Sequence, residues 1–240
     1  GTFDNKNVGT GKTVTISSSY SGDDVSNYSV TSQSSTTAAI VKKALNASAS
    51  ASNKTYNGNT TATTTLSFSG LIGSETLGQS VSSTFNNKNV GTGKTVTVNS
   101  ITLSDGSNGG LAGNYTISTG QTTTANITAK ALTVSGITAS NKTYDANTVA
   151  TLDLTGTSYS GLVAADDISI SATGTFDNKN VGTGKTVNIS SSYSGSDVGN
   201  YSITDQSSTT ANITASVSGI TIRGITANNK NYDGNTSATL

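Results

Sequence analysis

Apolar residues along this chain fall at alternate positions, as in Val14 and Ile16, Leu66 and Phe68, Leu152 and Leu154, and Ile168 and Ile170. A spacing of two puts side chains on one face of an extended strand, so these runs predict half-buried β-strands. No window of about 11 to 18 residues shows an apolar face of helical period. Taking 131–216 as one stretch, strands are predicted at 132–137, 150–154, 168–173, 185–189, 201–204 and 210–215, with Gly, Asn and Asp turns between them. Short strands so punctuated predict an all-β fold of small antiparallel sandwiches, immunoglobulin-like and stacked end to end. The alternative is a β-solenoid, whose coils would repeat every 20 to 30 residues or so. No such period occurs within the stretch.

A longer period does. The block Asn53-Lys54-Thr55-Tyr56-Asn57-Gly58-Asn59-Thr60 returns from Asn141 and again from Asn229, each time 88 residues on. A second block, Phe3-Asp4-Asn5-Lys6-Asn7-Val8-Gly9-Thr10-Gly11-Lys12-Thr13-Val14, recurs from Phe85 and Phe176. Asn-Tyr pairs ending in Tyr28, Tyr115 and Tyr201 recur in the same order, each followed by Ile40, Ile127 or Ile213. Block order is kept while spacing varies, as loop-length changes between fixed strands would give. This places the end of one copy at 1–43, complete copies at 44–130 and 131–216, and the opening of another at 217–240. No Pro-rich or charged linker separates them, so neighbouring copies are the first expected partners.

Composition sets limits on function. Lys+Arg and Asp+Glu number 13 each, so nothing draws the chain toward nucleic acid or an anionic membrane. Cys and His are absent, which removes disulfides and the usual zinc, copper and haem ligands. The start at Gly1, without Met or a signal-like segment, reads as a fragment or mature segment, and no apolar stretch is long enough to span a membrane as a helix. A low-charge, Cys-free, Ser/Thr/Asn/Gly-rich repeat predicts an exported surface protein.

The opening Asn-Lys-x-Tyr-Asp-Gly-Asn-Thr, the central Asn-Val-Gly-Thr-Gly-Lys-Thr-Val and the closing Asn-Tyr with Ala-Asn-Ile-Thr resemble the YDG repeat of large bacterial exoproteins. The resemblance covers essentially the whole chain. It implies filamentous haemagglutinin-like or adhesin-like proteins displayed at the cell surface, with roles in attachment or biofilm. The expected function is thus a structural stalk or fibre, with a glycan- or matrix-binding module, or a subunit that pairs with like chains, as alternatives. Asn57 in place of Asp, Ala146 in place of Gly, and the lack of Pro after the closing Ile-Thr depart from the pattern.

Candidate chemistry is sparse. Thr10-Gly11-Lys12-Thr13 resembles the end of a phosphate-binding loop, but Lys6 stands where the first glycine belongs, and the segment reads instead as a Gly-rich turn feeding a strand at 12–16. Tyr56, Tyr144 and Tyr232 are expected to cover the core edge with bonded hydroxyls; Phe3, Phe85 and Phe176, and Tyr28, Tyr115 and Tyr201, are the other repeated aromatic positions. Ala146 argues that its position does not need a positive φ, which passes to Asn147 if any residue has one. Calcium is the one cofactor the loops could serve, through Asp23, Asp24, Asp166 and Asp167 in Gly/Ser segments, joined by Asp105 with Asn108. A Lys–Asn isopeptide bond would pair Lys12, Lys94 and Lys185 with Asn27, Asn114 and Asn200, but no acid recurs beside them: Asp4 and Asp177 become Asn86. Without His or a recurring acidic pair, no catalytic set is expected and the chain is read as a non-enzyme.

Overall fold

A computed structural model of the chain describes residues 1–219 and 221–240. Among the described residues the regular structure is β-strand, with one-turn 3-10 segments at Val25–Asn27, Ala112–Asn114 and Val198–Asn200 and no α-helix. The chain divides into two compact units. The first comprises Gly1–Lys130 together with Val163–Asp166 and Ser196–Ser202; the second comprises Ala131–Leu162, Asp167–Gly195 and Ile203–Leu240.

In the first unit a five-stranded sheet runs in the order Lys54–Thr55, Thr122–Thr128, Gly91–Asp105, Leu77–Phe85, Thr61–Ala62. Its centre is a long antiparallel hairpin that sets Phe85 opposite Val96 and Leu77 opposite Asp105. One edge, Lys54–Thr55, lies parallel to Ile127–Thr128, and the other, Thr61–Ala62, lies antiparallel to Ser83–Thr84. These edges are neighbours in sequence, joined by the single turn of the Tyr-containing block, so the sheet curls toward closure around Phe85, Val96, Ala125 and Ile127, all buried. A three-stranded sheet, Tyr115–Ile117, Lys43–Ala51 and Thr64–Ser69, adds Leu45, Leu66 and Tyr115 to the buried set. The leading part-copy forms Thr2–Phe3, Gly9–Thr15 and Ser35–Ile40, with Ser35–Ile40 at the sheet edge.

The second unit repeats the five-stranded design with Lys142–Thr143, Ser208–Thr214, Gly182–Ser194, Ser169–Phe176 and Val149–Ala150. Ala150, Phe176, Val187, Ala211 and Ile213 form its core, with Ala139 and Leu152 packed against them. Val187 and Phe176 face each other across the central hairpin, the same pairing as Val96 and Phe85.

Alternation of side chains located five of the six predicted strands of 131–216, including Tyr201–Thr204 to the residue, whereas the strand predicted at 150–154 is divided into Val149–Ala150 and Leu152–Asp153, which belong to different sheets. It did not anticipate Lys142–Thr143 or Ser158–Ser160, which are too short to carry a period. Pairing also departs from a purely antiparallel arrangement. Lys54–Thr55, Lys142–Thr143 and Tyr115–Ile117 pair in parallel, because the intervening part of the repeat serves as the crossover between them and their partners. The Thr-Gly-Lys-Thr segments differ too: each lies inside a strand, at a register slip, with Gly11, Gly93 and Gly184 at φ of +63°, +60° and +59°. They are glycine β-bulges, not turns ahead of a strand.

Candidate functional site

The Asn-Lys-x-Tyr block closes the sheet. Nζ of Lys54 donates to the side chains of Asn57 and Asn59 and to the carbonyls of Asn59 and Thr61, at 2.7 to 3.0 Å. One ammonium thus ties the start of one edge strand to the start of the other. Lys142 does the same with Asp145, Asn147 and the Val149 carbonyl, and Lys230 clasps Asp233 and Asn235. The ammonium of Lys54 stands 5.4 Å from the Phe85 ring centroid, and that of Lys142 stands 5.5 Å from Phe176, so the first block meets the second through a cation–π contact. Burial lowers the pKa of Lys54. The leading Asn of each block has a task as well: Oδ1 of Asn53 accepts from the Asn126 amide and Oδ1 of Asn141 from the Asn212 amide, both at 2.7 Å.

Inside the clasp, Gly58, Ala146 and Gly234 all have positive φ, at +80°, +67° and +73°. The expectation that Ala146 excludes such a conformation is overturned, and Asn147 does not take it. Lys142 and the Asp145 carboxylate, which accepts from the amide and side chain of Asn147, fix the turn tightly enough to hold an alanine there.

A second lysine closes the hairpin loop of the Phe block. Nζ of Lys12, Lys94 and Lys185 donates to Oδ1 of Asn5, Asn87 and Asn178 at 2.7, 2.6 and 2.8 Å. Asp4 and Asp177 add ion pairs of 2.9 Å, and their lysines hold both carboxyls below the usual range. These lysines are thus engaged within their own loops, while Asn114 and Asn200 accept from the Val8 and Val90 amides.

That commitment defines a junction built twice in the first unit. In the fuller version Tyr56 is 1% exposed and meets the ring of Tyr201 edge-on, with centroids 5.5 Å apart. Both hydroxyls donate to Oδ2 of Asp166, at 2.8 Å from Tyr56 and 2.6 Å from Tyr201. Lys88 completes the network with Asp166 at 3.2 Å and Asp197 at 2.7 Å. Oδ1 of Asn200 accepts from the Val90 amide, and the Tyr201 hydroxyl accepts from the Val163 amide. Burial opposes ionisation of Asp166, whose side chain is 4% exposed, but the hydroxyls of Tyr201 and Tyr56 and the ammonium of Lys88 outweigh it and lower the pKa. Burial first, then the Asp166 carboxylate, pushes Tyr201 up to about 12 and raises Tyr56. Asp197, Tyr56 and Asp166 together hold Lys88 above the usual lysine range.

The other version uses equivalent residues. The Tyr115 hydroxyl donates to Glu75 and accepts from the Ile72 amide, Lys6 pairs with Glu75 at 3.1 Å, and Oδ1 of Asn114 accepts from the Val8 amide. Tyr115 and then Lys6 lower the pKa of Glu75. Leu111 stands where the fuller version has Asp197. A cavity of about 290 Å³ lies beside this network, lined by Lys6, Val8, Ile40, Ile72, Glu75 and Tyr115 among others.

The sequence-predicted positions divide accordingly. Phe85 and Phe176 are core, while Phe3 is 37% exposed; Tyr115 and Tyr201 are buried in junctions, while Tyr28 is exposed. Tyr56 is buried with its hydroxyl bonded, as expected, whereas Tyr144 is partly exposed and Tyr232 is 98% exposed. Of the calcium candidates, Asp166 is occupied by the junction, Asp167 has an interaction of its own, and Asp23 and Asp24 lie exposed, Asp24 accepting from Asn27. Asp105 accepts from the Ala112 amide. Among the described residues no group of three or more acidic side chains is placed to hold a metal ion. Sequence reading offered Asp166 only as a calcium ligand and did not match it with Glu75, because one is Asp and the other Glu; the apolar pairs Leu71-Ile72 and Leu162-Val163 before them were the available signal.

Tandem β-repeats closed by lysine clasps and joined through a tyrosine–carboxylate network are the class these features define. Residues 1–38, 41–125 and 128–211 match the family model of the YDG domain, and the chain belongs to that family. Among curated proteins and among solved structures, nothing matches it.

Proposed function

We propose that this chain is spacer and scaffold: a stretch of the stalk or fibre of an exported bacterial surface protein that serves attachment or biofilm formation. One observation carries the reading. The residues that recur from copy to copy are spent on closing each sheet, through Lys54 and Lys142, and on joining copies, through Lys6 and Lys88, Asn114 and Asn200, Tyr115 and Tyr201. Selection that keeps fasteners in register is what a load-bearing or distance-setting array requires, because each copy is stabilised largely by its neighbours. The low charge and the Cys-free composition fit export of many copies in one polypeptide.

Small-angle scattering on proteins of two, three and four copies tests it. A maximum dimension that grows by a constant increment per copy is expected. Growth that levels off would sink the reading, as would saturable binding of a defined glycan by the 240-residue chain.

A further inference from the structure

In each hairpin loop of the Phe block a lysine amine stands against the carboxamide of an asparagine seven positions earlier. The bulge glycines Gly11, Gly93 and Gly184, at positive φ, turn the strand so that the lysine after each folds back over the loop. The lysine stem lies along the backbone of Gly9, Gly91 or Gly182, where a Cβ would stand 3.4 Å from its Cγ and Cδ. Nζ of Lys185 is 2.8 Å from Oδ1 of Asn178, and that oxygen also accepts from the Asn180 amide at 3.0 Å. The same two donors converge on Asn5 and on Asn87. An amine held in contact with a carboxamide is at the separation from which attack begins. The Asn180 amide polarises the carbonyl and is aimed at the oxygen that would carry charge once its carbon is attacked.

Asp177 completes the set. Its Oδ1 lies 2.9 Å from Nζ of Lys185, and its Oδ2 accepts from Nδ2 of Asn178 at 3.2 Å. One carboxylate therefore touches both the nitrogen that would attack and the nitrogen that would leave. Lys185 holds this carboxyl below the usual range, so at neutral pH it is ionised and able to accept a proton. The Lys185 side chain is 9% exposed, sheltered from competing water, whereas Asn178 is exposed and leaves ammonia a way out. In the first copy Asp4 stands 2.9 Å from Lys12 in the same manner, while the middle loop has Asn86, whose amide cannot serve as a base.

We propose that Lys185 and Asn178 join in an intramolecular isopeptide bond, with Asp177 as the acid–base. Nζ passes a proton to Oδ1 of Asp177 and attacks Cγ of Asn178, and the Asn180 amide holds the oxyanion. Asp177 delivers the proton to Nδ2, the Cγ–Nδ2 bond breaks and ammonia leaves. Nζ gives up one further proton as the new amide forms, and the departed ammonia takes it up as ammonium. No oxidant or co-reactant is needed, and escape of ammonia into water makes the step one-way. The partner is thus the asparagine of the lysine's own loop. Lys12 and Asn5 share the arrangement; Lys94 and Asn87 have the contact without the carboxylate.

Intact-mass measurement and peptide mapping of the folded 240-residue protein after prolonged incubation test this. The loops of Lys185 and Lys12 should each lose one ammonia, and proteolysis should release a peptide linked between Lys185 and Asn178 but none between Lys94 and Asn87. Asp177→Asn should slow the Lys185 bond about 100-fold or more, the low end for general acid–base catalysis. Asn86→Asp should create a bond between Lys94 and Asn87. Asn86 already accepts from the Asn87 amide at 3.1 Å, as Asp177 does from the Asn178 amide at 2.8 Å, so that gain needs no rearrangement, and circular dichroism verifies that both variants fold. Absence of the Lys185–Asn178 linked peptide overturns the inference. So does loss of water in place of ammonia, which would put the bond on Asp177, or a Lys94–Asn87 bond in the unsubstituted protein, which would make the carboxylate irrelevant.

Discussion

At the residue scale the repeat is a set of positions with single tasks. Lysine supplies the clasp because its ammonium donates in several directions at once and its stem packs over a ring. The third position of the Tyr-x-Gly triplet shows how geometry and contact combine. Gly58 has φ of +80°, and a Cβ there would stand 2.7 Å from Val163, so Gly58→Ala is expected to destabilise the first unit through both strain and clash. Ala146 holds a similar φ in the second unit, so Ala146→Gly should stabilise that unit by about 1 kcal/mol through relief of left-handed strain. Chemical denaturation of the two variants measures both effects. An unchanged or lower midpoint for Ala146→Gly would show that alanine is at ease there.

At the element scale, two-residue edge strands hold only because something fastens them. Lys142 bonds the Val149 carbonyl and both oxygens of Asn147 while its side chain stays 17% exposed. Lys142→Met keeps the stem and removes the donors, and should cost about 2 kcal/mol, in the range for hydrogen bonds to a charged group. Hydrogen exchange should quicken at Lys142–Thr143 and Val149–Ala150 well before Gly182–Ser194. Uniform exchange across the sheet would mean the clasp is incidental. Sequence reading found the long strands through their alternation, whereas the clasped strands carry two residues each and leave no periodic trace. The lysine four places before the turn Gly or Ala was in plain view, but nothing in the pattern says that its ammonium folds back into that turn.

At the scale of the whole molecule, the junction around Asp166 sets a pH window. The lowered pKa of Asp166 gives stability that is present above the ordinary carboxylate value of about 3.9 and lost as pH falls through the lowered one. Tyr201, raised to about 12, and Lys88, also raised, give stability present below their ordinary values near 10 and lost as pH climbs past them. Unfolding midpoints of the first unit should therefore form a plateau between about pH 4 and pH 10. Asp166→Asn should lower that plateau and flatten its acid side, and should return the Tyr201 phenol toward the ordinary value in an absorbance titration. An acid side unchanged by the substitution would place the pH dependence elsewhere.

What the sequence determined by itself is local and periodic: β structure from apolar residues spaced in twos, copies from blocks that recur in order, family from the Asn-Lys-x-Tyr-Asp-Gly-Asn-Thr block. These follow from contacts between near neighbours, which leave a period or a motif. Tertiary structure alone decided the partners. Tyr56 and Asp166 are 110 positions apart, and Val8 and Asn114 are 106 apart. Tyr56 is buried because Tyr201 and Asp166 of another copy pack against it. The block by itself does not encode this: burial is a property of what packs against a residue, and for Tyr56 that comes from another copy.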